Sequence, residues 1–121
     1  MLVIQQNCRR AYAITIVALE AGLQRQADIV CLQEPYIVRE FQYSAYLIYW
    51  LEKGEHKYYR VLIAIRKTLL ASKIIEARTD LINHPYILAL DIWDLDKSRN
   101  HARRIRIVNC YDNWLGEGYY W

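Results

Sequence analysis

The sequence predicts an α/β fold, a mixed and mostly antiparallel sheet opened by a β-α-β unit. Three observations lead there. An apolar run, a helical stretch and a second apolar run follow one another before residue 35, and two strand pairs separated by polar turns fill residues 46 to 111. No linker, repeat or low-complexity tract interrupts the chain, so its 121 residues and 14.5 kDa are read as one domain, residues 1–121.

Leu2 to Gln6 reads as a strand, enriched in Val and Ile and too near the terminus for a useful helix. Tyr12 to about Arg25 reads as a helix. Ala13, Ile16, Val17, Glu20, Ala21 and Gln24 recur at helical spacing, and Ile14, Ala18 and Leu19 widen the apolar side, so a sheet is expected beneath it. Gly22 weakens the last turn. After Asp28, the continuous apolar run Ile29 to Leu32 fits a central parallel strand covered on both faces. Such a unit brings the carboxyl ends of both strands to one edge, where open α/β sheets take their ligands. Pro35 lacks an amide donor and disfavours the α region before it, so Glu34 is expected in extended backbone at the strand's end.

Tyr46 to Leu51 and Tyr58 to Ile65 are expected to form a hairpin around Glu52 to Lys57. Arg66 to Leu70 is transitional, Ala71 to Ala77 a short strand and Thr79 to Pro85 a polar connection. Tyr86 to Trp93 then pairs with Arg103 to Tyr111 around a basic turn. In that last strand Ile105, Ile107, Asn109 and Tyr111 share one face, and Arg104, Arg106, Val108 and Cys110 the other. The tail from Trp114 to Trp121 either packs across the sheet or marks a cut through a larger fold.

A 55% hydrophobic composition with eleven Tyr and four Trp argues against disorder. So much aromatic surface in a short chain points to an exposed apolar face that meets another chain or a missing segment. The net charge of +3 permits nucleic acid as a partner without demanding it. Its distribution says more: Lys97 to Arg106, KSRNHARRIR, holds five Lys or Arg and no acid. That segment is either a solvated hairpin turn or a phosphate-facing surface, with Arg103 and Arg104 as candidate substrate contacts. Cys8, Cys31 and Cys110 lie in or beside apolar segments in an odd count, which favours a reducing, intracellular setting, cytoplasm or nucleus, over a disulfide framework. Zinc is disfavoured, because no Cys pair has C-x-x-C spacing and His56, His84 and His101 are isolated. No apolar stretch is long enough to span a membrane, and Met1 to Gln6 lacks the pattern of a signal peptide.

The candidate chemistry gathers at strand ends. Glu34 offers anionic oxygen to a hard cation such as Mg²⁺, and Asn7 offers a carbonyl oxygen and an amide donor beside it. One carboxylate binds Mg²⁺ poorly, so further oxygen ligands are needed from elsewhere or from substrate phosphate. The alternative for Glu34 is an ordinary exposed strand end. Tyr111 can hydrogen-bond a phosphate or orient water, and Asn109 can tie adjacent loops, although both also suit a plain sheet end. Asp112 and Asn113 are equally explained by a turn.

Four segments in order carry a resemblance: QQNCRRAYA from Gln5, ADIVCLQEPYI from Ala27, YYRVLIAIRK from Tyr58 and IRIVNCYDN from Ile105. The chain resembles the endonuclease/exonuclease/phosphatase superfamily, in particular the endonuclease domains of non-LTR retrotransposons. The resemblance implies a two-sheet α/β sandwich that hydrolyses phosphate esters with Mg²⁺, of which this chain is the amino-terminal half. It implies that Glu34 is the metal-binding glutamate, that Asn7 and Tyr111 are active-site residues beside it, and that Asn109 is the asparagine preceding that tyrosine.

The departures from the family pattern limit what carries over. The resemblance implies a G-D-F-N-like segment, whose aspartate and asparagine organise attack and leaving-group stabilisation, and an S-D-H segment, whose histidine and aspartate activate water or hold the phosphate; neither occurs in these 121 residues. Asp91, Asp94, Asp96 and His101 lack the flanking residues to stand in for them. The expectation is a partial endonuclease-type domain with little or no activity alone, acting on DNA in the complete protein. The competing reading is a non-catalytic module that binds nucleic acid or protein. With one of two facing sheets lost, a homodimer covering the bared face is a further expectation.

Overall fold

The computed structural model describes residues 1–36, 43–50, 60–84, 86–94 and 104–111. Its first layer is a four-stranded sheet in the order β1-β2-β4-β3, from Val3–Asn7, Ile29–Gln33, Val61–Arg66 and Tyr46–Trp50 respectively. β1 and β2 are parallel and joined by helix α1, Tyr12–Gln24; β2 pairs antiparallel with β4, and β4 with β3. A one-turn helix, α2 at Lys67–Leu70, stands where the sequence reads as transitional. It leads to a second sheet, β5-β6-β7, from Lys73–Ala77, Ile87–Asp94 and Arg104–Cys110, antiparallel throughout. The expected fold class holds: mixed α/β, mostly antiparallel, with an early β-α unit.

Period-two alternation sorts the side chains into two cores. Val30 and Leu32 of β2 and Leu62 and Ala64 of β4 face α1, packing with Ala18, Leu19 and Tyr46. Ile29, Cys31, Val61, Ile63 and Ile65 point the other way and meet Leu88, Leu90 and Ile92 of β6. Both layers of a sandwich are therefore present in this one chain. The sheet face that a homodimer was expected to cover is covered by the chain's own second sheet.

The helix also corrects its expected inward stripe. Thr15, Ala18, Leu19 and Gly22 are buried, whereas Val17 is 65% exposed and Ile14 and Leu23 are exposed too. Beside the large Leu19, the inward face holds small residues where the helix lies close to the sheet: a Cβ on Gly22 would sit 2.7 Å from Val30 Cγ2. The helix ends in a Schellman turn, with Ala27 N–H donating to Gly22 O at 2.8 Å and Gln26 N–H to Leu23 O at 3.1 Å. Gln26 takes the left-handed position at φ 54°. Asp28 then clamps three strands, accepting the Leu2 N–H at 2.9 Å, pairing with the Arg66 guanidinium, and receiving the Arg66 N–H on its own carbonyl. Among the described residues no helix is long and apolar enough to cross a membrane.

Candidate phosphate-facing site

The carboxyl ends of β1 and β2, the start of β4 and the end of β7 lie at one end of the sandwich. Register puts Asn7 beside Gln33, and Gln33 opposite Val61. Glu34 follows Gln33, and its N–H donates to the Arg60 carbonyl at 2.9 Å while its own carbonyl accepts the Arg10 N–H at 2.8 Å. Glu34 is not extended as expected: its φ is 45°. The two backbone hydrogen bonds, one to each neighbouring segment, hold it in this left-handed turn against the preference imposed by Pro35. Arg9 and Arg10 are left-handed as well, at φ 50° and 59°, and the Asn7 Oδ1 accepts the Arg9 N–H at 2.9 Å to close their turn. Backbone strain of about 1–3 kcal/mol per residue collects at functional sites when surrounding structure enforces it.

The Glu34 side chain, 17% exposed, forms an ion pair with Arg10 Nε at 3.2 Å and accepts a hydrogen bond from the Tyr111 hydroxyl. Burial, then Glu34, push the Tyr111 phenol up to about 12, against the opposing pull of Arg60 and Arg10. Tyr111 thus keeps its proton at neutral pH and is a hydrogen-bond donor. Its ring meets that of Tyr86 edge-on at 5.7 Å, and the guanidinium of Arg60 lies 5.6 Å from the Tyr86 ring centre and 5.8 Å from that of Tyr111.

Asn109 serves the site from below. It is buried, its Nδ2 donates to the carbonyls of Leu32 and Leu62 at 2.9 and 2.8 Å, and its Oδ1 accepts from Gln33 Nε2. Gln5 in turn donates to Gln33. These amides tie the end of β7 to β2 and β4, so that Tyr111 is carried to Glu34. A groove of about 640 Å³ between edge strands β1 and β7, with Gln5, Asn7, Gln33 and Asn109 in its lining, ends at Tyr111.

Asn7, Glu34 and Tyr111 are therefore brought together, with Asn109 behind them. Arg104 is not. It sits at the other end of β7, about 23 Å from Tyr111 at ~3.3 Å per residue, on the outer face of the second sheet. There it stacks on Trp93 at 5.5 Å and lies 3.9 Å from Asp91. Asp91 is fully buried, and Arg106 and Arg78, each at 2.7 Å, hold its carboxyl well below the usual range. Arg103, Asp112 and Asn113 lie outside the described residues, as do Asp96, His101 and most of the basic turn.

Arg10, Arg60 and Tyr86 escaped the sequence reading. Arg60 had a signal: a charge opening the apolar run Val61 to Ile65, which as the antiparallel partner of β2 must begin at the ligand edge. As for metal, Glu34 is one hard ligand whose charge Arg10 already meets, and among the described residues no group of three or more His, Cys, Asp or Glu could hold an ion. These residues by themselves do not make a Mg²⁺ site. Cys8, Cys31 and Cys110 are free thiols; burial raises Cys8, and raises Cys31 to about 11, so neither of these two is a ready nucleophile.

One solved structure similar to this chain is the endonuclease domain of TRAS1, a telomere-specific non-LTR retrotransposon. The match has a TM-score of 0.66 and 22% identity over 91% of this chain and 43% of that one, so the likeness is of fold and the chain spans under half of its neighbour's length. No protein-family model matches the chain, and no curated protein does.

Proposed function

We propose that this chain is the phosphate-recognising half of a DNA endonuclease domain of retrotransposon type. The observation that carries the reading is the meeting of Asn7, Glu34 and Tyr111, contributed by strands of both sheets, at one end of the sandwich. Its support from outside is the fold likeness to a retrotransposon endonuclease domain. In this reading Asn7 and the two flanking arginines orient a backbone phosphate, and the Tyr111 hydroxyl donates a hydrogen bond to Glu34 and keeps that carboxylate aimed. Mg²⁺ and the base that activates water belong to the complete domain, since the 121 residues hold neither a G-D-F-N-like nor an S-D-H segment.

The 121-residue polypeptide is accordingly expected to leave supercoiled plasmid intact in Mg²⁺. Nicking that requires Mg²⁺ and disappears in Glu34→Ala would overturn that part of the reading. The non-catalytic alternative is favoured by the Arg10–Glu34 ion pair, which occupies the carboxylate without metal.

A further inference from the structure

Arg60 is the unusual residue of this end. Its carbonyl is committed to the Glu34 N–H at 2.9 Å, so its backbone cannot shift independently of the site. Two of its guanidinium nitrogens, Nε and Nη1, are shielded from solvent and have no hydrogen-bond partner among the described residues. Its neighbours are the faces of Tyr86 and Tyr111, which favour the positive charge but accept none of its directed N–H groups well. The nearby carboxylate, Glu34, is engaged by Arg10 and by the Tyr111 hydroxyl. Among the described residues, Arg60 forms no ion pair of its own with that carboxylate.

Shielded, unpartnered charge-bearing donors are costly to a fold unless something completes them. The acceptor that suits them is anionic and offers several oxygens to a planar fork, which is how arginine takes phosphate. From this arrangement we infer that Arg60 contacts a backbone phosphate of nucleic acid directly and binds it without a metal ion. The inference rests on the reading of this end as phosphate-facing. It adds that anion binding there precedes, and is separable from, any cation.

The test is fluorescence anisotropy of a labelled 16-base-pair DNA duplex, in EDTA and in Mg²⁺, across a salt series. Wild type is expected to bind in EDTA. Arg60→Gln should weaken binding about tenfold and reduce the slope of log affinity against log salt by about one. Arg60→Lys, which keeps the charge and loses the fork, should weaken it about threefold. Arg25→Gln, beyond the far end of α1, should change it less than about twofold. Thermal melts establish that each variant folds; if the Gln variant does not, the Lys variant decides. Wild-type affinity in the Arg60 variants, with wild type binding in EDTA, overturns the role of Arg60 and leaves the phosphate-facing reading intact. Binding that requires Mg²⁺ overturns the metal-free inference alone. Absence of binding in both conditions overturns the reading and the inference together.

Discussion

Asn109 shows how much a single side chain can organise here. Both its amide hydrogens go to carbonyls of the opposite sheet, Leu32 and Leu62, and its oxygen accepts from Gln33. Replacing it by Asp keeps the shape and removes both donors, setting a buried negative charge against two carbonyl oxygens. Asn109→Asp is therefore expected to cost about 2–4 kcal/mol in urea unfolding at pH 7, more than Asn109→Ala. The sign with pH follows from the same contact. Burial and the carbonyls raise the new carboxyl above its unfolded value of about 4, so its penalty should shrink as pH falls through that raised value. An Asp variant no less stable than the Ala variant would remove the donor role. Glu34 makes a related point in its backbone: its left-handed φ of 45° is imposed by Arg60 and Arg10, residues remote in sequence, against the local preference before proline.

Helix α1 and the turn that ends it contain two positions where glycine has opposite effects. At Gly22 the Cβ of alanine would press on Val30 Cγ2 at 2.7 Å and on the Tyr46 hydroxyl at 3.0 Å. Overpacking of about 1–3 kcal/mol then outweighs alanine's helix propensity gain of about 1 kcal/mol. At Gln26 the left-handed Schellman position strains a residue that has a Cβ. Gly22→Ala should lower the urea midpoint and Gln26→Gly should raise it, the latter with a gain in stability of about 1 kcal/mol. The reverse order would mean that propensity, not the closeness of α1 to β2, governs this element. The expected and observed inward faces of α1 differ for the same reason. Hydropathy favours Val17, but a helix this near a sheet admits Thr15, Ala18 and Gly22.

At the scale of the molecule, the two sheets share one core, with Ile29, Ile63 and Ile65 interleaved against Leu88, Leu90 and Ile92. They should unfold as one unit. Leu90→Ala is expected to cost about 2–5 kcal/mol and to speed hydrogen exchange equally in β4 and β6; loss of protection in β6 alone would show that the layers are independent. The apolar runs Ile29 to Leu32 and Val61 to Ile65, the helix from Tyr12 and the final hairpin were all legible in the chain, because burial on a strand or helix imposes a period that neighbours in sequence display. The positions of Asn7, Glu34 and Tyr111 at strand ends were legible too, through their places at the ends of such runs. Local pattern could not say that a single turn at Lys67–Leu70 sends the chain into a second layer, nor that Arg104 faces away from the site while Arg10 and Arg60 face into it. The sequence by itself determined which segments are strands and helix and which end of them carries polar chemistry, since those follow from interactions a few residues long. Only the tertiary structure decided the layers, the turn of Glu34 and the charges around it, since those depend on which remote segments supply the partners.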